Sequence, residues 1–406
     1  MTLFLTPRGM PVTTSSQALA YATHAFEEEV LNYGNQAAAL FDALPLDPDC
    51  GLATAYAAAL HLFRSTREGH GQARNLIDIA VQMQTGTVRE RSLVSAISFW
   101  AAGDIARAIR CLKLWVASNP RDLFAVKLVQ YLLFSTGQAD AMLAAIKPVA
   151  VAVPDDARVL GMLAFAHDQT GDPAAAERAA RAAIEIAPDP WAHHALAHAM
   201  DVGGRFDEGR LWMRQHADAW SNCTSFLYTH NWWHAALFHL ALGDRDGALA
   251  LYHERVWAVR KDYVQDQINA VSLLARLDLA GVDVGDRWVD VAHYVRPRRS
   301  DAIDGFLDLH YAYALARVGD DSAVTDLLNA LRIAARNGSR VRRTALRAAE
   351  AIVAFARRDW ITATQLLDTV APELWRLGGS NVQRQLFADM RKSARAEGRS
   401  TLEFAA

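Results

Sequence analysis

The chain has 406 residues, 52% of them apolar, with 45 acidic against 42 basic side chains and a formal net charge of -3. That near balance offers no basic face to neutralise phosphates, so nucleic acid is not an expected partner and an anionic membrane surface is not an expected dock. No apolar run approaches the roughly 18 to 20 residues of a membrane span, and the N-terminal MTLFLTPRGMPV lacks the charged-then-apolar order of a secretory signal.

In chain order, residues 1–50 read as a loop and one long capping helix over about 14–42, helical pairs follow through 51–392, and 393–406 reads as a frayed tail. The dispersed cysteines Cys50, Cys111 and Cys223 form no CxxC pair and fit a reducing, cytoplasmic setting. From 51 onward the dominant feature is periodicity. Pro120, Pro154 and Pro188 recur at intervals of 34 residues, and Gly103, Gly137 and Gly171 keep the same step. Gly204, Gly243, Gly281 and Gly319 continue it at a looser spacing.

A 34-residue period is the length of a tetratricopeptide (TPR) repeat, two antiparallel helices with a turn between and a turn after. The stretch VLGMLAFAHDQTGDPAAAERAARAAIEIAP fits best: Ala176, Ala180 and Ala183 let helices approach closely, and Pro188 stops the second helix. No segment alternates apolar and polar residues at period two, so essentially no sheet is expected. The predicted fold is all-α: a TPR-like, right-handed superhelical solenoid of antiparallel helix pairs in one continuous array. Its first helices would line a concave groove suited to a peptide, a partner helix or a small molecule. An apolar edge of such an array would also favour a homodimer.

From residue 190 the first helices change character. PDPWAHHALAHAM places His194 and His198 four residues apart on one helical face, and HNWWHAALFHLALGD repeats the arrangement with His230 and His234. Asn231, Trp232 and Trp233 lie between the second pair, with Trp232 in the packing slot and Trp233 nearer the groove. In DGFLDLHYAYALARVGD, His310 stands nine residues before Gly319, as His234 stands nine before Gly243, and Asp308 is close by. Equal phase puts His234 and His310 on one line of the repeat surface.

These residues support two functions of different class. In one, a His- and Trp-lined groove holds a ligand. In the other, His194, His198, His230, His234, Asp308 and His310 perform acid–base or hydrolytic chemistry on a small substrate. An HxxxH pair can chelate a transition metal, but the Glu of HExxH is missing and carboxylates are few nearby, so neither a metal nor any other cofactor is expected. Near the C-terminus LWRLGGSNVQRQLF breaks the pattern: Ser380 reads as an N-cap, and Gln383 and Arg384 on the opening turn read as ligand-binding candidates with Asn231 and Trp233. The N-terminal RGMPVTTSS has no repeat role and reads as a lid across the groove.

Six stretches carry a resemblance: RGMPVTTSSQA (8–18), HALAHAMDVGGRFDEGRLWM (194–213), HNWWHAALFHLALGDRDGALALYHERVW (230–257), AVSLLARLDLAGVDVGDRW (270–288), DLH (308–310) and RLGGSNVQRQLF (376–387). In order and in kind they resemble the tetratricopeptide repeat protein 38 family. The resemblance implies a TPR-like α-solenoid and no settled activity. It also implies that His194, His198, His230, Asn231, His234, Asp308, His310, Ser380, Gln383 and Arg384 belong to a family pattern. Ala275 stands where relatives are expected to carry a tryptophan, which would widen the groove there.

Overall fold

The computed structural model describes residues 2–83, 86–336 and 338–405, with side chains through 400. The chain forms two compact units. Unit 1 holds Met1–Leu133, Ala139–Val202 and His216–Leu227, and unit 2 holds Phe134–Gln138, Gly203–Gln215 and Tyr228–Ala406.

Unit 1 opens with a feature the periodicity did not announce, an antiparallel hairpin of β1 (Thr2–Leu5) and β2 (Pro11–Thr14), with Thr2 opposite Thr14 and Leu5 opposite Pro11. Gly9, at φ 72°, makes its tight turn possible. The hairpin is tied down by carboxylates. Thr13 N donates to Glu90 Oε1 at 2.6 Å, Thr14 Oγ1 donates to Asp47 Oδ2 at 2.6 Å, and Arg8 pairs with Glu28. The segment read as a lid is therefore fastened to these side chains of its own unit.

Helix α1 (Gln17–Asn32) begins at Ser16, whose side chain accepts from Leu19 N. It stops at Tyr33, at φ 54°, so the single helix expected over 14–42 is broken, and only the short α2 (Leu40–Ala43) follows before the repeats. The pairs are α3 (Gly51–Phe63) with α4 (Arg67–Ala80) and α5 (Val88–Ala101) with α6 (Ile105–Ser118). Next come α7 (Leu123–Ser135) with α8 (Ala139–Ala152) and α9 (Ala157–Gln169) with α10 (Pro173–Ile186), then α11 (Pro190–Val202). First helices of successive repeats pack on one another, α3 on α5 and α9 on α11.

Unit 2 repeats the plan. After α12 (Phe206–His216), α13 (Ser225–Ala241) pairs with α14 (Arg245–Leu251), which runs into a π-helical turn at Tyr252–Val256. Then α15 (Val264–Leu279) pairs with α16 (Arg287–Val295), and α17 (Gly305–Arg317) with α18 (Asp321–Arg336). The last pair is α19 (Arg340–Ala356) with α20 (Trp360–Val370), and α21 (Asn381–Ala405) closes the unit. Where a frayed tail was expected after 392, α21 continues instead. Ala394 is fully buried, and Arg391 and Arg395 hold Asp368 at 2.6 and 2.7 Å.

The periodic glycines and the aspartates after them account for the turns. Gly103, Gly171, Gly243 and Gly319 sit at φ 70–82°, the left-handed region that ends a helix without steric cost to glycine. Asp104, Asp172, Asp244 and Asp320 then cap the next helix, accepting from the backbone N–H three residues on at 2.9–3.1 Å. Each such cap contributes about 1 kcal/mol. In the last pair Arg358 takes the glycine position at φ 62° and Asp359 keeps the cap. Tight interhelical approach rests on alanine: Ala176, Ala180 and Ala183 are all at 0% exposure. Among the described residues the molecule is thus an all-α, TPR-like helical-repeat fold with one two-stranded hairpin.

Unit 1 also buries a charge cluster. Arg89 donates to Asp122 Oδ2 at 2.8 Å and to Glu27 Oε1 at 2.7 Å, Tyr56 donates to Glu27 at 2.6 Å, and Trp115 Nε1 donates to Asp122 at 2.9 Å. Arg89, Glu27 and Asp122 are almost completely buried, and the two carboxylates hold the guanidinium protonated.

Candidate functional site

The candidate residues fall on first helices, α11 in unit 1 and α13 and α17 in unit 2, and on the opening of α21. They do not line an open groove. His194, His198, His230, Asn231, His234, Trp233, Asp308, His310 and Ser380 are all at 0–2% exposure.

In unit 1, α11 turns His194 and His198 to one side, as the four-residue spacing predicts. Their Nε2 atoms are 3.0 Å apart, close enough for one proton to be shared between them. Behind them, His198 Nδ1 lies 3.0 Å from Asp168 Oδ2 on α9. Gln169 Nε2 donates to the same carboxylate oxygen at 2.6 Å. The result is a buried carboxylate–imidazole–imidazole chain. Phe165 packs against both rings, at 5.3 and 5.6 Å, and Trp191 lies 4.4 Å from His194. Trp191 in turn stacks on Tyr33 at 4.8 Å. The neighbouring His193 faces elsewhere, accepting from Trp220 Nε1 at 3.2 Å, and burial lowers its pKa to about 4.

In unit 2, α13 presents His230 to Asn269 on α15, with His230 Nδ1 and Asn269 Oδ1 at 2.9 Å. An amide oxygen only accepts, so this contact puts the proton on Nδ1 and leaves Nε2 as the lone-pair nitrogen. Asn269 donates onward to Thr229 Oγ1 at 3.1 Å, and Thr229 donates to Asp266 Oδ1 at 3.0 Å. His230 stacks flat on Trp233 at 5.1 Å, while His234 meets Trp233 edge-on at 4.8 Å. Trp233 is the fully buried member of the tryptophan pair. Trp232 is the outer one, with Arg255 over its ring at 5.1 Å. Trp233 thus stands with His230 and His234 from inside the core and not from an open groove.

Arg276 gathers the rest of unit 2. Its guanidinium lies 5.1 Å over Trp233 and donates to Val382 O at 2.8 Å and to Gln383 O at 3.4 Å. His310 Nδ1 donates to Phe306 O at 2.9 Å, between the rings of Phe306 and Phe387. Burial above all, with a smaller push from Arg276, lowers the His310 pKa to about 4. Asp308, two residues earlier and so on another side of α17, does not join it. Its electrostatic neighbours are Asp304, Asp301 and Arg342, and burial raises its pKa well above the usual carboxylate value.

Ser380 and Gln383 form a reciprocal cap, with Gln383 N donating to Ser380 Oγ at 3.1 Å and Ser380 N donating to Gln383 Oε1 at 2.8 Å. Arg384 donates to the carbonyls of Gly378 and Gly379. These side chains build the turn into α21 and bring its backbone to Arg276.

Sequence reasoning missed Asp168, Asn269 and Arg276. Each lies on the first helix next to the histidine it serves, so one repeat length, less or plus a helical turn, separates each from that histidine: 30 residues from Asp168 to His198 and 39 from His230 to Asn269. That offset was the available signal.

No family model matches the chain. Among solved structures, it is similar to a chain of the Naa15/Naa10 complex bound to HypK-THB, with 13% identity and a TM-score of 0.27 over 96% of this chain and 63% of that one. It is also similar to the TPR domain of P58(IPK), with 12% identity and a TM-score of 0.22 over 95% of this chain and 93% of that one. The chain thus spans less than two thirds of the first of these. Likenesses this distant carry no argument about function, and the assignment to the TPR-like helical-repeat class rests on this chain's own helices and turns.

Proposed function

We propose that this protein encloses a small polar molecule beside the buried pair of His194 and His198 and can exchange a proton with it. One observation carries the reading: the Asp168–His198–His194 chain, buried and linked by two 3.0 Å contacts. The carboxylate against Nδ1 orients the His198 ring, and the Nε2–Nε2 contact is the path along which a proton would pass between His198 and His194. A peptide laid along a groove would need these groups at the surface, which is why a small ligand is preferred to a peptide. The helical-repeat fold by itself suits a protein-interaction scaffold. That role would use surfaces other than these histidines.

A second reading has its own support. A carboxylate or carbonyl oxygen behind an imidazole is how metal-bound histidines are commonly oriented, and Asp168 and Asn269 stand in that relation to His198 and His230. Within unit 1, the buried His194 and His198 are candidates to hold a metal ion. Membership of the tetratricopeptide repeat protein 38 family, on the stretches quoted above, and a cytoplasmic setting, on the free thiols of Cys50, Cys111 and Cys223, complete the proposal.

Native mass spectrometry with elemental analysis tests both readings on purified wild type, His198→Ala and Asp168→Asn. A stoichiometric organic mass lost in His198→Ala supports the first reading, and a stoichiometric metal supports the second. Identical apo masses, with no metal in any of the three, would sink both and leave the scaffold.

A further inference from the structure

A second polar feature of unit 1 is unlike the rest of its core. Lys127 on α7 is 8% exposed, yet among the described residues its ammonium makes no hydrogen bond and no ion pair. It rests on aromatic faces instead, 3.6 Å from the centre of the Tyr33 ring and 5.2 Å from that of Trp191. Asp189, just ahead of α11 and 6% exposed, is its electrostatic counterpart. Asp189 Oδ1 accepts from Trp191 N at 2.9 Å, while Oδ2 is buried without a hydrogen-bond partner.

Opposite charges buried in one core and felt by each other normally pair, because an unpaired buried charge is costly. These two do not. The surroundings hold them open from several sides. The Tyr33 ring is aimed at the ammonium from a backbone at φ 54°, a conformation that a non-glycine residue adopts at a cost. That backbone is held by Thr224 N donating to Tyr33 O at 2.6 Å. On the other side, a side chain at Gly161 would place its first carbon 2.5 Å from Asp189 Oδ2, so α9 clears room for that oxygen. Burial accordingly lowers the pKa of Lys127 and raises that of Asp189.

We propose that Lys127 and Asp189 are the two poles of a binding subsite for a small zwitterion of the free amino-acid type. The ligand carboxylate takes the donors of Lys127, its ammonium takes Asp189 Oδ2, and the Tyr33 and Trp191 rings form the wall between them. Separate acceptor and donor needs of opposite sign, held apart by rigid neighbours, are what such a molecule satisfies at once and what a plain anion or a plain cation satisfies only by half. Trp191, whose other neighbour is His194, makes the subsite contiguous with the histidine chain. The inference deepens the small-ligand reading by naming a ligand class, and it rests on that reading for its biological sense.

The test is thermal unfolding of the full chain with each of the twenty free amino acids, and with matched controls lacking the amine or carrying an amide in place of the carboxylate. At least one amino acid should raise Tm saturably, with neither control of that amino acid doing so. Lys127→Met and Asp189→Asn should each abolish the response, and Asp189→Asn keeps the acceptor for Trp191 N and so the fold. A wild-type response that Lys127→Met and Asp189→Asn abolish supports this inference even where His198→Ala leaves the native mass unchanged, so this inference and the histidine reading can fail separately. No response to any amino acid in the wild type, or a response that survives in the folded Lys127→Met/Asp189→Asn double variant, would overturn it.

Discussion

Unit 1 buries charge in two ways, and the contrast separates structure from function. Around Arg89 the accounting is nearly complete: Glu27, Asp122, Tyr56 and Trp115 meet one another and the guanidinium at 2.6–3.2 Å. Around Lys127 it is left open, with an amine over two aromatic rings and a carboxylate oxygen of Asp189 without a partner. A saturated network has nothing left to offer a ligand. An open one retains the desolvated donors and acceptors that a ligand can use. The Asp168–His198–His194 chain lies between these extremes, internally linked and, in the function proposed above, a path for a proton.

The largest effect should come from breaking the saturated cluster. Arg89→Ala leaves Glu27 and Asp122 buried without their cation and should cost about 3–5 kcal/mol in urea unfolding. If Arg89→Ala proves milder than Lys127→Met, the contrast drawn here fails.

Acid should come next. His193 and His310 have folded pKa values of about 4 against about 6.5 in an unfolded chain. Because both are depressed, the unfolded state binds more protons between these values. The neutral histidines therefore contribute fully above pH 6.5, and stability is lost as pH falls toward 4. Each can contribute up to about 1.4 kcal/mol per pH unit across that window. Urea midpoints measured from pH 7 to 4.5 should fall accordingly, and His310→Asn should flatten the slope. A pH-independent midpoint would show that these rings are less buried than described.

A smaller, local effect should follow at the turn into α21. Gly379 combines φ 73° with a position where an added carbon would come within 2.4 Å of Phe306. Gly379→Ala should cost about 2 kcal/mol and loosen the backbone that Arg276 holds. Gly171→Ala shares the strained φ, at 82°, but meets nothing within 4 Å, and should cost only about 1 kcal/mol. Equal losses would mean that the contact with Phe306 is easily relieved.

The smallest change is expected at the open pair. Lys127→Met removes an amine that has no hydrogen bond to lose, and should alter stability by less than about 1 kcal/mol or raise it. A loss comparable to that of Arg89→Ala would make Lys127 a structural residue.

The repeats were legible because their signals are local. A glycine takes positive φ wherever it stands, and an aspartate after it caps the next helix through its own near neighbours, so a period in sequence becomes a period in structure. Helical phase likewise placed His194 with His198, whereas Asp308, read together with His310 from the sequence, has different neighbours in the structure. The hairpin was not legible, because PVTT is stabilised by Glu90 and Asp47, far along the chain. Nor was the full burial of Trp233, which depends on how α13 packs against its neighbours.

What the sequence determined by itself is the repeat architecture: the succession of helix pairs, their turns and the shared face of each histidine pair, all set by interactions spanning four residues or fewer. What only the tertiary structure decided is the chemistry of that face. Asp168, Asn269 and Arg276, and the open pair of Lys127 and Asp189, acquire meaning from neighbours 30 or more residues away along the chain. Burial, which sets whether a charged group is quenched, shared or left available, is a property of the packed neighbours and not of the residue.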